Sequence, residues 1–197
     1  VMQKTLQVIR KADPEFKVSL AGNFHKELEA DIYDYCIPIG ASYPKEVLAR
    51  RAQKQLPTTY YTCCTEAFPN TFTFSDPAEA AWMSYYSAKD HLDGYLRWAY
   101  NSWPKEPLLD SRFEAWAGGD TYLVYPGARS SIRFEKLIEG VQVHEKITIL
   151  RKEFTDKKNK NGFKKLEKML STFKLKDFPE VPAAETVNKA NKILNSL

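Results

Sequence analysis

Three cysteines in 197 residues cannot build a disulfide framework, and their spacing offers no zinc site. Cys63 and Cys64 are adjacent and Cys36 stands alone, so no C-x2-C pair exists. All three are expected as buried thiols within strands, since free cysteine packs like a small hydrophobe. No stretch approaches the run of about 18 apolar residues that a membrane-spanning helix needs, which excludes a transmembrane span. His25, His91 and His144 are the only histidines, too scattered to argue a His–carboxylate pair. G-x-S-x-G, the P-loop and G-x-G-x-x-G are all missing, so serine-hydrolase, phosphate and dinucleotide readings lose their usual support. No metal and no cofactor is expected.

Aromatic residues, by contrast, are plentiful at 13%, with 11 Tyr, 11 Phe and 4 Trp. Hydrophobic residues at 43% and charged residues at 27% are ordinary globular usage, so the chain has material for a core and rings to spare for a binding site. Basic residues outnumber acidic ones by 29 to 25, a net charge of +4. Residues 151 to 176 hold ten Lys and Arg against Glu153, Asp156 and Glu167, an excess of seven that leaves −3 for the remainder. The positive charge therefore belongs to the tail. No aromatic alternates with these lysines as a stacking platform would, so a solvated helix face is expected and nucleic acid is not.

Short apolar strands alternate with amphipathic segments along the first hundred residues. Residues 2–12 read as a helix ending before Asp13-Pro14, and 16–22, 33–39, 58–64 and 95–100 read as strands. Helices are expected over 25–31, 43–56 with Pro44 in its first turn, and 76–91 with Ser75 or Asp76 as cap. That alternation predicts parallel βαβ units, and four of them suit an open sheet or half of a (β/α)8 barrel. From Asn101 to about Ser131 the pattern breaks into a long connection without obvious helix, of the kind that carries function. One long helix from Ile132 to about Phe154 follows, then a Lys-rich helix, a Pro179–Pro182 linker and a short helix from Ala183. The organisation expected is thus residues 1–154 as an α/β domain and 155–197 as a basic helical tail.

Sites in parallel α/β folds form at the carboxyl ends of strands. That rule singles out Asn23, Ser42, Thr65, Glu66 and the run Asn101-Ser102-Trp103. The ring-rich stretch Tyr95 to Trp103 is the strongest local signal, because a flat indole buries the C–H face of a sugar while nearby Asn, Asp and Glu bind its hydroxyls. Strand parity puts Leu96, Trp98 and Tyr100 on one face, expected under helices, with Arg97, Ala99, Asn101 and Trp103 on the other. Trp98 is balanced between core and site, and Trp103 leans to the site.

The segments Tyr60-Tyr-Thr-Cys-Cys64, Gly94-Tyr-Leu-Arg-Trp-Ala-Tyr-Asn-Ser-Trp103, Trp116-Ala-Gly-Gly-Asp-Thr-Tyr-Leu-Val-Tyr-Pro-Gly127 and Ser131-Ile-Arg-Phe-Glu-Lys-Leu-Ile-Glu-Gly-Val-Gln142 occur in order. Together they resemble the later part of the catalytic domain of family 123 glycoside hydrolases, over about residues 5 to 150. The resemblance implies a (β/α)8 barrel, here its C-terminal half with four parallel strands and trailing helices. It also implies retaining hydrolysis of β-linked N-acetylgalactosamine, with the substrate acetamide as nucleophile and an Asp-Glu pair to polarise it and protonate the leaving oxygen. That pair lies upstream of a segment matched here by Lys11 to Phe16, and no Asp-Glu dipeptide occurs in the chain. The chain, which begins at Val1 without an initiator Met, is therefore expected to be part of a longer protein, to lack the catalytic acid and to be inactive alone.

The residues expected to bind sugar are Asn23, Tyr61, Glu66, Trp98, Asn101, Trp103, Asp120 and Tyr122. The partner is a glycan, with self-association through an open barrel face as a further expectation. A secreted, periplasmic or cell-surface bacterial location goes with the resemblance. Two other readings stay open: a non-catalytic carbohydrate-binding or structural module, and a complete enzyme using Glu66 and Asp120 as two carboxylates.

Overall fold

The computed structural model describes all residues from Val1 to Leu197 and divides into two compact units, Val1–Tyr61 and Thr62–Leu197. The strands are β1 (Ser19–Ala21), β2 (Asp34–Pro38), β3 (Thr58–Thr62) and β4 (Gly94–Arg97). Their order in the sheet is β1-β2-β3-β4, the sequential order of half a (β/α)8 barrel. β1 pairs with β2 and β2 with β3 in parallel, with Cys36 opposite both Ala21 and Thr59. The parallel α/β expectation therefore holds.

In the first unit, α1 (Met2–Ala12) precedes β1, and α2 (Lys45–Gln53) crosses from β2 to β3. Leu28, Ile32, Tyr35, Ile37, Val47 and Tyr60 form its core. A fully buried arginine fastens the strand entrances. Arg51 donates to the carbonyls of Ile32 (3.1 Å), Tyr33 (2.8 Å) and Pro57 (2.8 Å) and to Thr58 Oγ1 (2.9 Å), and it pairs with Glu29. Guanidinium suits this task because it offers five donors in a rigid plane.

In the second unit, α3 (Ala78–Lys89) is buried on nearly every side from Ala80 to Ala88. Against it pack α4 (Ile132–Asp156), α5 (Lys160–Leu170) and α6 (Ala183–Leu194). Gly140 does not interrupt α4. A Cβ there would stand 2.5 Å from Ser84 Oγ, so glycine lets α4 lie close on α3. The Lys-rich tail joins this core through Leu166, Met169, Leu170 and Phe173, whose ring stacks on Tyr85 at 4.4 Å. Its lysines at 157, 158, 160, 164, 165 and 168 stay exposed.

Local capping follows the sequence. Pro77 has helical backbone angles, and Asp76 Oδ1 accepts from Ala78 N–H at 2.9 Å while Glu79 Oε1 accepts from Asp76 N–H at 3.1 Å. That reciprocal pair is a capping box with proline at the first helical position. Ser131 caps α4 by accepting from Phe134 N–H.

Three expectations are corrected. The strands are shorter than the apolar runs: β3 stops at Thr62 and β4 at Arg97. Cys63 and Cys64 therefore leave the sheet, half-buried and exposed respectively, and only Cys36 in β2 is a buried thiol. Leu96, Trp98 and Tyr100 are not buried under helices but lie exposed, Tyr100 meeting Phe134 of α4 edge-on, and the chain leaves the sheet after Arg97. On the opposite parity only the Arg97 side chain is buried, Ala99 is half-buried, and Asn101 and Trp103 are exposed.

Candidate active site

The loop after β3 is held by one asparagine. Asn70 Nδ2 donates to the carbonyls of Cys63 and Glu66, both at 2.7 Å, while its Oδ1 accepts from Thr71 N–H. Glu66 turns back onto this loop, accepting from Cys63 N–H at 2.7 Å and Thr65 Oγ1 at 2.6 Å. Beneath it, Glu79 accepts the main-chain N–H of Asn70, and burial pushes its carboxyl up to about 7.

Arg97 closes β4 with a side chain only 4% exposed. Its Nη1 donates to Asn70 Oδ1 at 2.9 Å, and its Nη2 donates to the Asp120 carbonyl at 2.5 Å and to Asp120 Oδ1. Asp120, 0% exposed, also accepts from Trp98 Nε1 at 3.1 Å. Two residues earlier on β4, the Tyr95 hydroxyl meets Thr62 Oγ1 at 2.7 Å. Burial raises that phenol.

The long connection is irregular but ordered by main-chain pairing. Asn101 bridges Tyr122 antiparallel, with Ser102 N–H on Thr121 O and Leu123 N–H on Tyr100 O. Arg133, from the first turn of α4, donates to the carbonyls of Thr71, Gly119 and Tyr122 at 2.6–2.9 Å. Gly119 has φ +76°, and a Cβ would lie 2.6 Å from Arg133 Nη1; at Gly118 it would lie 2.7 Å from Ser111 Oγ. The Gly118-Gly119 step thus lets the chain pass closely enough to bring Asp120 under Arg97. Above Asp120 sit two indoles. Trp98 and Trp116 are tilted together at 5.4 Å between ring centroids and are 41% and 40% exposed.

A pair of exposed indoles beside a buried, hydrogen-bonded carboxylate has the form of a sugar platform. The catalytic domain of glycoside hydrolase family 123 matches residues 1–150, about three quarters of the chain. The chain belongs to glycoside hydrolase family 123. A solved structure similar to it is that of a family 123 glycoside hydrolase from Clostridium perfringens, described for glycolipid glycan hydrolysis, at 24% identity and a TM-score of 0.78. The likeness covers 98% of this chain but 38% of that one. No curated protein matches in sequence.

Within this family 123 chain, the second unit brings together Glu66, Trp98, Asn101, Trp103, Asp120 and Tyr122, linked by the loops around Arg97 and Arg133. Trp98, Asn101 and Trp103 are exposed. Trp103 is steadied by its own indole N–H on Val124 O at 2.7 Å. Tyr122 is wholly buried, its hydroxyl on Pro107 O, so its ring backs the connection from beneath. Asp120 is equally buried and engaged by Arg97 and Trp98, which leaves it unable to serve as the second of two exposed carboxylates. In the first unit, Asn23 is exposed and its carbonyl accepts from the Tyr35 hydroxyl at 3.0 Å. Tyr61 sits half-buried on β3 opposite Pro38. Sequence reasoning missed Arg97, Asn70, Arg133 and Trp116 as parts of the arrangement. A signal for Arg97 existed, a lone charge in an apolar strand, which must find partners if it is buried.

Proposed function

We propose that this chain carries part of the sugar site of a retaining glycoside hydrolase acting on β-linked N-acetylgalactosamine through the substrate's own acetamide group. Family membership over residues 1–150 carries the reading. The exposed Trp98–Trp116 pair supports it, because an exposed indole face can bury the apolar face of a pyranose. In this reading Trp98 and Trp103 pack against the sugar ring, Asn101 bonds hydroxyls, and Glu66 lines the rim of the post-β3 loop.

The acid and the acetamide-orienting carboxylate are not among these 197 residues, which contain no Asp-Glu dipeptide. General acid catalysis needs a proton donor within hydrogen-bond reach of the leaving oxygen, typically worth about 10²–10⁴-fold in rate. Glu66 alone, already holding Cys63 N–H and Thr65, does not replace that pair. Self-association through the open barrel face and action outside the bacterial cytoplasm belong to the same proposal; light scattering at several concentrations tests the former.

The decisive assay is hydrolysis of an aryl β-N-acetylgalactosaminide by the 197-residue chain and by a longer chain that includes an upstream Asp-Glu pair. Turnover by the longer chain only is expected. Turnover by the short chain that disappears in Glu66→Gln would overturn the reading.

A further inference from the structure

We propose that Arg97 is a positioning residue: its one buried guanidinium sets both the post-β3 loop that carries Glu66 and the indole plane of Trp98. The role in sugar binding rests on the function proposed above, whereas the positioning itself is a property of the fold.

The argument starts from donors. Guanidinium has only donors, so whatever faces it must accept. Asn70 meets Arg97 Nη1 at 2.9 Å and must therefore present its Oδ1. That choice points Nδ2 the other way, onto the carbonyls of Cys63 and Glu66. Arg97, with Thr71 N–H on the same Oδ1, thus fixes which way the Asn70 amide lies, and the amide fixes the loop.

The other arm acts through Asp120. Arg97 Nη2 binds both the carbonyl and Oδ1 of Asp120, giving that 0%-exposed carboxyl a counter-charge inside the protein. The same Oδ1 accepts Trp98 Nε1 at 3.1 Å, which pins an otherwise exposed ring at its polar edge. Asp120 Oδ2 has no partner, so Oδ1 alone carries this link. Lysine could not repeat it. A single ammonium on a flexible stem lacks the planar fork that spans Asn70 on one side and Asp120 on the other.

The test uses the full 197-residue chain with its indole nitrogens isotopically labelled, Trp98→Phe to assign the Trp98 resonance, and buried Trp82 on α3 as internal reference. In Arg97→Lys the Trp98 indole N–H is expected to shift and to exchange with solvent at least about tenfold faster, the loss of one such bond. The Trp82 signal stays in place. Asp120→Asn keeps an Oδ1 acceptor and so retains the protected Trp98 N–H that Asp120→Ala loses.

Titration with methyl β-N-acetylgalactosaminide reads the functional arm, with about tenfold weaker binding expected for Arg97→Lys. Unchanged Trp98 exchange in Arg97→Lys overturns the proposal. If Arg97→Lys does not fold and the Trp82 signal moves too, equal Trp98 behaviour in Asp120→Asn and Asp120→Ala overturns it. Should the wild-type chain bind no sugar while the indole responds as described, the positioning role stands and the proposed function falls.

Discussion

Glu79 Oε2 accepts the main-chain N–H of Asn70 at 2.7 Å, from a carboxyl that is 2% exposed at the start of α3. Desolvation outweighs that bond and the one from Asp76 N–H, and so holds the group at about 7 against an ordinary 4.5. Between those values the folded chain binds a proton that the unfolded chain has released. Stability contributed by Glu79 is therefore complete below about pH 4.5 and is lost as pH rises through 7. Urea unfolding from pH 5 to 8 is expected to show this fall, of at most about 3 kcal/mol. Glu79→Gln should flatten the slope. An unaltered slope in that variant would assign the dependence to other groups.

Gly119 and Gly127 share nearly the same left-handed φ, +76° and +75°, but only Gly119 faces neighbours. Substitution by alanine strains the backbone at both, by about 1 kcal/mol. At Gly119 the new Cβ also meets the buried guanidinium of Arg133, which is already committed to three carbonyls. Gly119→Ala is expected to lower the unfolding free energy by about 2–4 kcal/mol and Gly127→Ala by about 1, measured by denaturant titration. Equal losses would mean that Arg133 moves aside at no cost.

In the first unit, Arg51→Met removes a buried cation and its bonds to the carbonyls of Ile32, Tyr33 and Pro57, of which Pro57 O keeps only the Tyr35 N–H. Glu29 keeps only Arg50 as ion partner. Loss of about 3–5 kcal/mol is expected in chemical denaturation. A near-neutral result would show that methionine packing compensates for the missing bonds.

Trp98→Ala and Trp103→Ala should each weaken binding of methyl β-N-acetylgalactosaminide by about tenfold or more, since ring burial is worth about 1 kcal/mol and upward. Lys164→Ala, on the exposed face of α5, should change it less than about twofold. Calorimetric titration gives the comparison. Similar small effects from all three would move the sugar away from these rings.

The sequence by itself determined the parts that depend on neighbours along the chain. Period and turn chemistry placed α1 to α4 within a few residues and put Asp76-Pro77 at the start of α3, whereas the helix expected over 25–31 is only a 3-10 turn at Glu29–Asp31. Parallel order followed from alternation, because a strand–helix–strand unit closes in only one hand. Tertiary structure alone decided where the strands stop and which polar groups go inside. Apolar character continues past Thr62 and Arg97, but pairing does not, so Cys63, Cys64 and Trp98 left the sheet. Asp120, expected to bind sugar, is the buried partner of Arg97, 23 residues earlier in the chain. Burial of a charge is settled by whichever distant group can share it, and no local pattern records that choice.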